Sequence, residues 1–282
     1  MTTTDVRRVA LPSGESVPVL GLGTWHMAEH PARRTAEIAA LRLGIELGMG
    51  LIDTAEMYAD GATEVLVGEA VAGHRDEVFL VSKVLPQHAT RRGTIVACEQ
   101  SLRRLGTDRL DLYLLHWRGG VPLEETLDAF RVLRHTGLIR HWGVSNFDVA
   151  SMEELVSLPG GSEVTTDQVL YNLTRRGIEY DLLPWCRDRG LPIMAYSPVE
   201  QGRLAQHTVL EAVAAGHAAT PVQVALAWTI RQPGVLAIPK ASNPDHVVEN
   251  RAALDVHLTD DDLAWLDQAF PSPDGPQPLE IL

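Results

Sequence analysis

Four ionisable residues stand where short apolar runs stop. Asp53 ends LID in LIDTAEMY, Lys83 ends FLVSK, His116 follows DLYLL, and Tyr58 lies a few residues past Asp53. A carboxylate, an ammonium, an imidazole and a phenol on one rim could manage addition of a hydride to a carbonyl. Such an addition leaves an alkoxide, whose oxygen needs a proton donor. A free tyrosine has a pKa of about 10, and an adjacent ammonium should stabilise the phenolate and lower that value. In this division of labour Tyr58 gives the proton and Asp53 holds Lys83 charged and in place. His116 orients the carbonyl oxygen by a hydrogen bond.

Each residue taken singly has an ordinary explanation. An aspartate at a strand end serves equally well as a helix N-cap. A loop tyrosine commonly packs, a strand-end lysine commonly snorkels to solvent, and a histidine after a strand is commonly a hydrogen-bonded core group. The argument for chemistry is their convergence, because burying several ionisable groups together is costly without a function.

That convergence needs a scaffold that brings strand ends to one face. Eight apolar runs read as strands: Val17–Leu20, Leu51–Asp53, Val78–Ser82, Leu110–Leu115, Ile139–Val144, Thr166–Val169, Ile193–Tyr196 and Leu236–Ile238. Amphipathic stretches between them include Thr35–Leu47, Thr94–Leu105, Leu123–His135 and Val222–Ile230. Runs that are apolar throughout suit parallel strands covered on both faces. The alternation allows a closed barrel or an open doubly wound sheet. No G-x-G-x-x-G follows an early strand, which removes the open fold's dinucleotide fingerprint. The expected fold is therefore α/β, a (β/α)8 TIM barrel, with active groups at the C-terminal ends of its strands. Val6–Leu11 and Glu15–Val17 flank Pro12-Ser13-Gly14 and read as an N-terminal β-hairpin cap. Thr259–Phe270 reads as an extra C-terminal helix with Thr259 as its N-cap.

Residues 1–282 contain no Pro/Gly/Ser-rich linker, so a single barrel domain is expected. A formal net charge of −13 argues against nucleic acid or an anionic membrane as partner. Cys98 and Cys186 form no CxxC pair and no zinc spacing, which fits a reducing compartment. MTTTDVRRVALPSG has no long apolar run, so neither signal peptide nor anchor is read there and the cytoplasm is expected.

The motifs carry a family resemblance. From GLGTW (Gly21 to Trp25) through DTAEMY, LYLLHW, GVSNF, QVLYN and AYSP to PKASNPDHVVEN (Pro239 to Asn250), the chain resembles an aldo-keto reductase over nearly its whole length. The resemblance implies that Asp53, Tyr58, Lys83 and His116 are the family's catalytic tetrad, and that NADPH is the cofactor, with no metal. It puts Gly23, Thr24 and Asp53 along the cofactor. Ser145, Asn146 and Gln168 would bond the nicotinamide carboxamide, whose donor and acceptor groups need mixed partners. Tyr196 would stack on the nicotinamide ring. Ser197 and Pro198, with the loop through Gly202 and Leu204, would follow the pyrophosphate. Lys240, Ser242, His246, Glu249 and Asn250 would surround the adenosine end. Trp25, Tyr58, His116 and Trp117 would line the substrate pocket, with Met27 and Met57 nearby.

Two positions depart from the family's commonest pattern. Ala241 follows Lys240 where that pattern has serine, and His246 stands where it has arginine. An uncharged imidazole matches a 2′-phosphate less well than a guanidinium fork. NADPH is still expected to be preferred, with NADH accepted. The loop after Tyr196 and the C-terminal tail are short, which suggests an open site for small or varied aldehydes. LHWRGGVPLEET and IPKASNPDHVVENRAAL resemble bacterial members that reduce methylglyoxal and similar 2-oxoaldehydes. A monomer acting on a small carbonyl compound is expected. Two rivals remain: a nucleotide-sensing subunit of the same family with little turnover, and a metal-dependent barrel hydrolase using His26, Asp53 and His116.

Overall fold

The computed structural model describes residues 6–282. The part of the N-terminal reading that concerns residues 1–5 lies outside the described residues. The chain opens with an antiparallel hairpin, β1 (Arg8–Ala10) and β2 (Ser16–Pro18). Eight parallel strands follow in sequence order. They are β3 (Leu22–Gly23), β4 (Leu51–Asp53), β5 (Phe79–Val84), β6 (Leu110–Leu115), β7 (Ile139–Ser145), β8 (Asp167–Leu170), β9 (Ile193–Tyr196) and β10 (Val235–Ala237). Each pairs with the next, as expected where every crossover is right-handed and short.

The ring closes between the first and last of these strands. Gly21 N–H donates to Ala237 O (2.8 Å), Ala237 N–H to Val19 O (2.9 Å), and Gly23 N–H to Pro239 O (3.0 Å). A parallel bridge pairs Gly23 with Lys240. A Cβ on Gly23 would lie 2.6 Å from Ile238 O, so glycine is what lets the two backbones meet there. One buried apolar cluster runs from Leu11 to Phe270 and fills the barrel and the layer beneath its helices.

The helices are α1 (Arg34–Glu46), α2 (Ala62–Val71), α3 (Arg91–Leu105), α4 (Leu123–His135), α5 (Val149–Ser157), α6 (Leu182–Asp188), α7 (Thr208–Gly216), α8 (Pro221–Ile230), α9 (Pro244–Ala252) and α10 (Asp260–Ala269). Local chemistry sets their starts. Thr259 and Asp262 form a reciprocal capping box at α10, as the sequence suggested, and Thr220 and Gln223 do the same at α8. Thr90 caps α3 three residues earlier than the sequence pattern indicated, its hydroxyl accepting from Gly93 N–H at 3.1 Å.

Three expectations need correcting. The run Val17–Leu20 is not one strand: Val17 pairs with Val9 in the hairpin, whereas Leu20 bridges to Ala237 across the closure. A single apolar run thus serves two sheets. The third barrel strand also continues two residues further than Val78–Ser82 suggested, because Lys83 and Val84 pair with Leu114 and Leu115. Two helices, α7 and α8, cross from β9 to β10 where one was expected. Among the described residues no single helix is long and apolar enough to cross a membrane. The adjoining α7 and α8 are together apolar enough, but they meet at 85°, and α8 is buried from Val224 to Ile230.

Candidate active site

The strand register delivers the four ionisable residues to one place. Asp53 is the last residue of β4 and pairs with Gly23 and Val81. Lys83 lies on β5 opposite Leu114, and His116 follows β6, its N–H donating to Val84 O at 2.9 Å. The Lys83 side chain is fully buried and donates to Asp53 Oδ2 (2.8 Å), Thr54 O (2.9 Å) and the Tyr58 hydroxyl (3.0 Å). The rings of Tyr58 and His116 meet edge-on with centroids 5.9 Å apart. Convergence, inferred from strand ends alone, is therefore a geometric fact.

Burial and charge set the protonation states. Burial opposes a charge on Lys83, but Asp53 and Tyr58 outweigh it and hold the ammonium above its ordinary value. Tyr58 departs from expectation. Lys83 does favour its phenolate, but burial is the larger effect and Asp53 adds to it, so its pKa rises instead of falling. The phenol stays protonated, which is the state a proton donor needs. Burial, helped by the charge of Lys83, pushes His116 down to about 2, so its imidazole is neutral. His116 Nδ1 is buried with no hydrogen-bond partner among the described residues.

Around this core lie the residues expected to hold a cofactor. Asn146 adopts a left-handed backbone (φ 60°) that suits asparagine. Its amide donates to Ser145 Oγ and His116 O, both at 3.1 Å, and its Oδ1 accepts from the Tyr196 hydroxyl at 3.0 Å. Ser145 Oγ donates to Gln168 O (2.7 Å), and Gln168 Nε2 donates to Asp53 Oδ1 (2.7 Å). Hydroxyl, amide and phenol groups thus sit side by side next to the ionisable cluster, the mixed set a carboxamide needs. Thr24 Oγ1 donates to Asp53 O at 2.8 Å and holds the β4 end against Gly23.

The loop after Tyr196 is anchored by a residue the sequence reading passed over. Glu200 is nearly buried, and its carboxylate accepts from Asn172 (2.7 Å), Arg203 (2.8 Å) and Arg175 (3.1 Å). Burial works against its charge, but these donors outweigh it and keep the carboxyl below its ordinary value. Asn172 also donates to Ser197 O at 2.9 Å, fixing the loop's start. The asparagine closing QVLYN and the one acid in SPVEQGR were the available signals. All left-handed non-glycine residues described, except Ala218, lie in loops that follow strands: His26, Ala28, Ala59, Asp60, Asn146, Ser197, Glu200 and Gln201. Strained backbone gathers on the face that carries the chemistry.

Beyond that loop, Lys240 and His246 are exposed, Ser242 Oγ approaches Glu37 Oε1 at 3.5 Å, and Glu249 accepts from Thr220 Oγ1 at 2.8 Å. Asn250 is buried on α9, and Ala241 is packed into the core. Gly202 takes the left-handed φ of 86° that its turn requires, and Leu204 is buried beneath it. Trp25 and Trp117 are half-buried at the rim, Trp117 with its ring 4.8 Å from that of His116. Met57 is exposed nearby, but Met27 is fully buried in the core and does not line the pocket. His26, needed by the metal-hydrolase reading, is exposed and bonded to Glu29 at 2.6 Å. No group of His, Cys, Asp or Glu able to hold a metal exists among the described residues.

Comparison with known proteins agrees with this geometry. The model of the aldo/keto reductase family matches residues 19–270. Methylglyoxal reductase YeaE of Escherichia coli (strain K12) is 54% identical over 272 residues, covering 95% of this chain and 96% of that protein. Glyoxal reductase of Bacillus subtilis (strain 168) is 34% identical over 284 residues, covering 100% of both. The crystal structure of an aldo/keto reductase from Klebsiella pneumoniae in complex with NADP and acetate is 52% identical. It superposes with a TM-score of 0.96 over 98% of this chain and 100% of that one.

Proposed function

This chain belongs to the aldo/keto reductase family and is an NADP-dependent carbonyl reductase, and on that premise we propose that it reduces small 2-oxoaldehydes such as methylglyoxal with Tyr58 as proton donor. The observation that carries the proposal is the contact of 3.0 Å between the Tyr58 hydroxyl and the buried Lys83 ammonium, itself braced by Asp53 at 2.8 Å.

NADPH, when bound, supplies the hydride to the carbonyl carbon. Ser145, Asn146 and Gln168 would hold its carboxamide, Tyr196 its nicotinamide ring, and the loop around Glu200 its pyrophosphate. Lys240, Ser242, His246, Glu249 and Asn250 would hold the adenosine end. The carbonyl oxygen, gaining charge as the hydride arrives, takes the phenolic proton of Tyr58, giving the alcohol and a phenolate. Lys83 stabilises that phenolate at hydrogen-bond range, and Asp53 keeps Lys83 in position. A neutral His116 can donate one ring N–H to the carbonyl oxygen without competing for the tyrosine's proton.

A small substrate suits the rim, where Trp25 and Trp117 are half-buried and the loop after Tyr196 turns back within a few residues. The relatives named above act, by their names, on methylglyoxal and glyoxal. The same reading makes the protein a single barrel domain, a monomer, and an enzyme of the cytoplasm without nucleic-acid or membrane partners.

The test is loss of NADPH absorbance with methylglyoxal and with 4-nitrobenzaldehyde, wild type beside Tyr58→Phe. Turnover that disappears in the variant while NADP⁺ still binds supports the mechanism. Turnover persisting in Tyr58→Phe overturns Tyr58 as donor, and turnover of the aromatic aldehyde alone overturns the substrate class.

A further inference from the structure

An NADP-dependent site needs cationic donors for the adenosine 2′-phosphate, and Lys240 alone is a single point charge. His246, on the first turn of α9, brings no guanidinium fork. The question is whether the fold supplies a second cation from elsewhere.

Barrel closure brings the loop after β3 beside the segment after β10, since Gly23 pairs with Lys240. A short 3-10 turn, Pro31–Arg33, ends that loop and runs directly into α1. Glu37 lies one turn into α1, and its carboxylate ties the two segments together. Oε2 accepts from Ala28 N–H at 3.0 Å and Oε1 from Ser242 Oγ at 3.5 Å. Arg33 closes that turn and stands at the N-cap of α1, four residues before Glu37, and its charge acts on Lys240.

Arg33 is exposed and makes no side-chain hydrogen bond or ion pair among the described residues. Its neighbour Arg34 differs, being paired with Glu69 at 2.6 Å on the side facing α2. Lys240 likewise has no bonded side-chain partner among the described residues, and partial desolvation of its ammonium together with the charge of Arg33 holds it below the ordinary value, despite Glu37 and Glu29. Both of those carboxylates have other partners, Glu29 bonding His26 and Glu37 bonding Ser242 and Ala28. The acid nearest on α9, Asp245, is exposed on its first turn. Two unpaired cations held within each other's field, next to a serine hydroxyl, form an arrangement that a doubly charged anion would relieve.

We propose that Arg33 is a specificity-determining residue of the cofactor site, supplying from the first barrel loop the guanidinium contact to the 2′-phosphate that His246 does not provide. The proposal rests on the reading above that Lys240 and Ser242 face the adenosine end. It makes the chain's preference for NADP(H) over NAD(H) depend on a residue more than two hundred positions from the motif around Lys240.

The test is equilibrium binding of NADP⁺ and NAD⁺, read by tryptophan fluorescence or calorimetry, with Arg33→Gln, Arg34→Gln, Lys240→Met and the double variant Arg33→Gln/His246→Arg. The expected result is NADP⁺ affinity reduced about 10- to 100-fold in Arg33→Gln, the range for one charge-assisted contact. NAD⁺ affinity is unchanged, Arg34→Gln behaves as wild type, and the double variant regains NADP⁺ binding. Selective NADP⁺ weakening in Lys240→Met but not in Arg33→Gln overturns the role of Arg33 and leaves the adenosine site standing. NADP⁺ binding unaffected by either substitution overturns both. Arg33 is exposed and unbonded, so an unchanged melting temperature is the folding control.

Discussion

Replacing Lys83 by methionine removes the cation of the Asp53–Lys83–Tyr58 cluster and keeps most of the side-chain volume. The fully buried ammonium serves three acceptors within 3.0 Å: Asp53 Oδ2, Thr54 O and the Tyr58 hydroxyl. Two effects follow, and they can be measured separately. For chemistry, attraction between an ammonium and a forming phenolate 3.0 Å apart is about 5.5 kcal/mol at an effective dielectric near 20, roughly ten-thousandfold in kcat. For stability, Asp53 is left buried without its counter-ion. Breaking such a pair typically costs about 3–5 kcal/mol. Urea unfolding measures this cost, alongside single-turnover reduction and NADP⁺ binding. Adding Asp53→Asn should restore most of the stability and none of the rate. A Lys83→Met protein turning over within tenfold of wild type would refute the electrostatic argument. A Lys83→Met protein as stable as wild type would refute the buried-charge argument.

Three further outcomes follow from the structure. His116 has a folded pKa near 2 against about 6.5 when unfolded, so the unfolded chain binds the extra proton. Stability from this group is full above pH 6.5 and falls by about 1.4 kcal/mol per unit as pH drops toward 2; His116→Gln should flatten that slope in denaturant titrations. Gly23→Ala forces a methyl to within 2.6 Å of Ile238 O at the barrel seam. It should cost about 1–3 kcal/mol, seen as a melting temperature lower by several degrees, and an unchanged value would mean that the seam yields. Glu200→Gln removes the charge that gathers Arg175, Arg203 and Asn172. NADP⁺ should then dissociate about tenfold faster or more in stopped-flow measurements, on the scale of one charge-assisted bond, and an unchanged rate would show that this loop does not restrain the cofactor.

Period and punctuation in the sequence carry the elements whose cause is local. β6 and β9, with α4, fall where the apolar runs put them, because a strand buried on both faces needs a continuous run and a helix needs one stripe. The cap at Thr259 is legible for the same reason, since its partner Asp262 is three residues away. The identities of Asp53, Tyr58, Lys83 and His116 are visible as well, because a parallel barrel sends every strand end to one face.

What depends on distance between remote segments is not legible. Whether Lys83 lowers or burial raises the pKa of Tyr58 is a competition between charge and desolvation, and only packing fixes how much water remains. Met27 has the same composition as a pocket residue, but the fold closes over it. Glu200 reads as a loop acid until Asn172, Arg175 and Arg203 are brought onto it, and Arg33 reads as a surface charge until the fold brings its charge to bear on Lys240. Sequence alone determined which groups could do chemistry and on which face they would stand, since both follow from residue type and period. The tertiary structure decided their protonation and their partners, since electrostatic energy depends on separation and solvent, which a linear chain does not specify.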